Sequence, residues 1–131
     1  MDQEALVREL RKLRAGLAHR GGPIALLMLL ASDQGSQTAW NLVVSAKGLD
    51  QWSRAQAVHE LTNLLHKTTS RSTWDQIVRT TVLRTDDPFV RAFNAAFDTG
   101  IKKAAVNLVS TSVSGYDIPR ALLLESHRTA A

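Results

Sequence analysis

Gly22-Pro23-Ile24-Ala25-Leu26-Leu27-Met28-Leu29-Leu30-Ala31 is the stretch that decides how this chain folds. Eight apolar residues follow Pro23, and Ser32-Asp33-Gln34-Gly35-Ser36 closes the run. An amphipathic helix spaces its apolar residues three and four apart, whereas a strand covered on both faces reads as an unbroken apolar run between turn residues. Residues 24–31 are therefore expected to form a strand buried on both faces. They are too few for a bilayer-crossing helix, which needs about 20.

Upstream, Leu6, Leu10, Leu13 and Leu17 align on one stripe of a helix expected over residues 2–19, with Asp2 as its cap and Gly21-Gly22-Pro23 as its stop. Downstream, Trp40, Leu42, Val44 and Ala46 alternate with Asn41, Ser45 and Lys47. That alternation predicts a second strand with one wetter face, nearer an edge and paired to the first as a hairpin. Asp50 is a candidate N-cap for a helix running to about residue 67, with Trp52, Ala55, Val58, Leu61 and Leu65 as its buried stripe. Residues 68–73 read as a Ser/Thr-rich loop.

Residues 76–85 hold Ile77, Val78, Thr80, Thr81 and Val82, whose β-branched side chains suit a third strand. Asp86-Asp87-Pro88 opens a helix, because Asp accepts from free N–H groups and Pro at the first position loses no hydrogen bond. Val90, Phe93 and Phe97 form its apolar stripe, and Gly100 is expected to end it. Residues 104–113 and 118–126 then make a second hairpin around Ser114-Gly115-Tyr116-Asp117. Pro119 requires an edge, a strand start or a bulge, and residues 127–131 are expected to be a frayed tail.

The result is one α+β domain over residues 1–131, in the order α-β-β-α-β-α-β-β. It is a mixed sheet of about five strands with three helices packed on it. The connection from second to third strand is long enough for a parallel crossover. The opening helix, hairpin and second helix resemble in their order the roadblock-type dimerisation scaffolds. The third helix departs from that order, so the resemblance implies no site residue.

The 131 residues are 44% hydrophobic and 21% charged and include no cysteine. That composition excludes a disordered chain, a disulfide scaffold, cysteine-ligated metals and a cysteine nucleophile. The seven glycines fit neither Gly-x-Gly-x-x-Gly nor Gly-x-x-x-x-Gly-Lys, and no Gly-x-Ser-x-Gly occurs. His59 and His66 share a helix but stand about 10 Å apart along its axis, too far to clamp one ion. A nuclease triplet of acid-x-Lys is missing too, since the one ending at Lys47 begins with Ser45.

Asp86 and Asp87 are the only adjacent acidic pair. They are the candidate catalytic residues of a metal-dependent enzyme, because they end a strand that leads into a helix. Helix capping is the competing use. Arg8, Arg11 and Lys12 lie opposite the leucine stripe and are the candidate nucleic-acid-binding residues. The net charge of +4 is spread as +2, −1, +1 and +2 over residues 1–20, 21–50, 51–100 and 101–131. Trp74, in Arg71-Ser72-Thr73-Trp74-Asp75, is a candidate exposed interaction anchor. Asn107, Thr111 and Ser110-Thr111-Ser112-Val113-Ser114 form a hydroxyl-rich cluster.

No metal site and no cofactor is expected, and no export signal or membrane span is read from the sequence, so the expected location is the cytoplasm. The leading expectation is a small protein that works by association, with itself or with another protein, and not by catalysis. A nucleic-acid partner and an enzyme using Asp86 and Asp87 are the alternatives.

Overall fold

β1 (Ile24–Ala31) lies between β2 (Trp40–Ala46) and β5 (Tyr116–Ser126) and is antiparallel to both. Its residues from Ile24 to Leu29 are all buried, so neither face asks for polar alternation. The computed structural model describes residues 3–31, 39–97, 100–113 and 115–126, and the side chains of these except at 20, 21 and 100–105. β3 (Ile77–Val82) joins β2 in parallel and β4 (Gly100–Val113) joins β5 antiparallel. The sheet order is β3-β2-β1-β5-β4, a mixed five-stranded sheet as the element order implied.

Three helices lie on one face: α1 (Gln3–Gly21), α2 (Arg54–Thr68) and the short α3 (Arg71–Gln76). There Leu6, Leu10, Leu13 and Leu17 pack with Leu27, Leu29, Leu42, Val44 and Leu122. α4 (Pro88–Ala96) covers the other face, setting Val90 and Phe93 against Met28, Val43, Leu108 and Leu123. Each face therefore has its own core. Removing one Leu side chain from water contributes roughly 1.5–3 kcal/mol, and β1 supplies both cores in turn, Leu27 and Leu29 to the first and Leu26 and Leu30 to the second.

Four local expectations are corrected. Asp50 does not cap α2: it sits in a 3-10 turn (Lys47–Gln51), and Ser53 caps instead, its Oγ accepting from the Gln56 N–H at 3.2 Å. With its start moved, α2 buries Ala57, Leu61, Leu64 and Leu65 and leaves Ala55 exposed. Thr68 of the Ser/Thr-rich segment still belongs to α2, and the second half of that segment belongs to α3, a fourth helix. It forms because Glu9 of α1 accepts from the Ser70 N–H at 2.8 Å and the Thr73 hydroxyl at 3.3 Å, a cap supplied from far away in the chain. The second face of β2 is not wet, since Val43 and Ser45 are both buried.

Boundaries shift as well. α4 ends at Ala96, before Gly100, which opens β4. Asp2, the segment 32–36 and the tail 127–131 lie outside the described residues.

The β4–β5 hairpin changes face partway along. Leu108 and Val113 both pack against the α4-side core, as do Ala121 and Ile118, although each pair is an odd number of residues apart. In a regular strand odd spacings point to opposite faces. The reversal falls between the pairs Val109–Arg120 and Thr111–Ile118, where Ser110 has φ 49° and Pro119 stands on β5. β5 has run past β1 there, whose pairing stops at Ala121, so Pro119 removes no N–H from that ladder. Beyond the reversal, the Tyr116 ring meets Phe89 edge-on at 5.1 Å, and Gly115 takes φ 84° in the turn.

Candidate functional site

β2 and β3 are the parallel pair of the sheet, and the crossover between them leaves the carboxyl end of β2. Side chains projecting from such strand ends are where α/β proteins gather ligand-binding groups. A cleft of about 400 Å³ opens at this end, between the 3-10 turn and α2 on one side and the loop from β3 to α4 on the other. Leu49, Ala57 and Val82 give it an apolar floor, and Asp50, Arg54, Arg84, Asp86 and Asp87 stand around it.

Asp86 and Asp87 are thus brought to one cleft, in two different states. Arg84 donates to Asp86 through Nε at 3.0 Å and Nη2 at 3.4 Å, in an exposed ion pair. Those hydrogen bonds, with the guanidinium charge, hold the Asp86 carboxyl below its ordinary range and push Arg84 up. Asp87 is the N-cap of α4, accepting from the Phe89 N–H at 2.8 Å, with Pro88 next to it. One carboxylate caps and the other is paired.

Asp50 is the residue of this rim that sequence reasoning missed as anything but a cap. Its Oδ1 accepts from the Thr85 N–H at 3.0 Å and its Oδ2 from the Thr85 hydroxyl. Arg84 Nη1 also donates to the Asp50 carbonyl at 2.9 Å. The signal was the spacing of two polar segments that only the crossover brings together. Among the described residues no three of His, Cys, Asp and Glu are placed to hold a metal ion. What the arrangement provides is a fixed, partly polar rim around a small apolar floor.

The basic residues of α1 are divided. Arg8 is exposed, Arg11 is half-buried with Nη2 enclosed and unbonded, and Lys12 pairs with Glu9 at 2.8 Å. Hydrogen bonds from Lys12 and then Ser70 lower the Glu9 carboxyl to about 2. Arg14, not singled out in the sequence, holds the buried Glu125 of β5 at 2.8 Å.

Trp74 is not the exposed anchor expected of it. It is half-buried on α3, its ring 4.4 Å from that of His66, and its Nε1–H donates to the Thr69 hydroxyl at 3.1 Å. That hydroxyl donates in turn to the Leu65 carbonyl, so Trp74 ties α3 to the end of α2.

Among the described residues the sheet has two open edges. β3 is six residues long, carries Arg79, and bulges at Val78, since Trp40 and Asn41 pair with Ile77 and Arg79. β4 is the other, and among the described residues no element lies beyond it. Its residues 106–113 keep one register with β5 and contain neither charge nor proline, and Val109 is 68% exposed. Asn107 and residues 110–113 of the hydroxyl-rich cluster lie along this edge, with Asn107 accepting from Gln3 of α1 at 3.2 Å, and Ser114 lies outside the described residues.

Among the described residues no helix is long and apolar enough to cross a membrane. No family model, no curated protein and no solved structure matches the chain.

Proposed function

We propose that the protein works by association with another protein chain, a second copy included, and that the open edge of β4 is the surface it uses. The observation that carries this reading is the uncharged, proline-free run 106–113 along an edge that no other described residue pairs with, with Val109 exposed in it. Edges that are not meant to pair are guarded by charge, proline, bulges or brevity. β3 has three of these guards, whereas residues 106–113 of β4 have only the break at Ser110, the charges of Lys102 and Lys103 and the register shift of that strand lying before them. An added strand would supply the main-chain partners that β4 lacks on its outer side. The reading needs no catalysis by this chain, and we propose the cytoplasm as its location.

Light scattering coupled to gel filtration tests the self-association half. A mass above that of one chain, reduced to one chain by Val109→Lys, is the expected result. A strict monomer at every concentration removes a second copy as the partner and leaves only another protein.

A second reading is favoured by the cleft, which gathers Asp86 and Asp87 from the loop between β3 and α4. In it the chain is an enzyme whose two carboxylates serve a divalent ion. Melting curves with Mg²⁺, Mn²⁺ and Zn²⁺ decide: stabilisation lost in Asp86→Asn or Asp87→Asn supports it, and unchanged curves remove it. Nucleic-acid binding by Arg8, Arg11 and Lys12 is less favoured, because Glu9 neutralises Lys12 and Arg11 is half-buried.

A further inference from the structure

We draw no further inference here: the strongest candidate, the cleft between the amino ends of α2 and α4, belongs to the site already described, and its three carboxylates are each bonded within the chain with nothing in the structure to show what it would hold.

Discussion

The carboxylate of Asp50 receives both the N–H and the hydroxyl of Thr85, a residue 35 positions further along the chain. This contact fastens the loop leading into α4 to the start of the crossover, and so fixes the rim of the cleft. Asp50→Ala leaves the part-buried Thr85 N–H without its acceptor. A loss of about 1–3 kcal/mol is expected by urea unfolding, with Asp50→Asn retaining part of it. Equal stability of wild type and Asp50→Ala would show that the loop holds its place without this bond.

Asp86 and Asp87 should separate cleanly on substitution. Asp87→Ala removes the α4 cap and should cost about 0.5–2 kcal/mol. Asp86→Ala breaks only an exposed ion pair and should leave the melting temperature unchanged. Thermal melts in the reverse order would contradict the roles assigned to the pair.

Glu9 gives a pH dependence with a definite sign. Its carboxyl falls from an ordinary 4.5 to about 2 in the folded chain, so its contribution is complete above about pH 4.5 and is lost as pH falls towards 2. Glu9→Gln should therefore flatten the fall in stability across that window, as followed by urea midpoints at a series of pH values. Because Glu9 also caps α3, the variant should alter the emission of Trp74. An unchanged slope would mean that Glu9 is no better bonded in the folded chain than in the unfolded one.

Arg14 and Glu125 join α1 to β5 below the surface, with Glu125 only 1% exposed. Arg14→Met takes one partner from a buried carboxylate and should cost about 3 kcal/mol. Adding Glu125→Gln should restore more than half of that, since the charge left behind is then gone. Additive losses in a double-mutant cycle would contradict the coupling.

What was legible in the sequence was local. The unbroken apolar run of β1 and the Asp87-Pro88 start of α4 each carry their cause within a few residues, and both that strand and that helix start stand as expected. The failures needed distant partners. α3 depends on Glu9, which precedes Ser70 by 61 positions, so residues 68–73 offered only their Ser/Thr content. Asp50 and Ser53 were both able to cap a helix, and what separates them is the 3-10 turn held to the loop by Thr85 and Arg84. Pro119 signalled an irregular strand, but not the positive φ of Ser110 in the neighbouring strand or the change of face there. For the site, Asp86 and Asp87 were named from their position at a strand end, and the cleft does gather them. Which strand is outermost follows from pairings between distant segments, so the exposed edge of β4 emerged only with the sheet order.

The proposed association requires that β4 accept a strand. Amide hydrogen exchange, measured on the chain with and without a soluble Val/Thr-rich ten-residue peptide, decides whether it does. Slower exchange at alternate amides of residues 106–113, unchanged exchange over 77–82, and loss of the effect in Val109→Lys are the predicted results. Exchange at 106–113 that ignores the peptide at millimolar concentration, or protection that falls on β3 instead, would contradict the account.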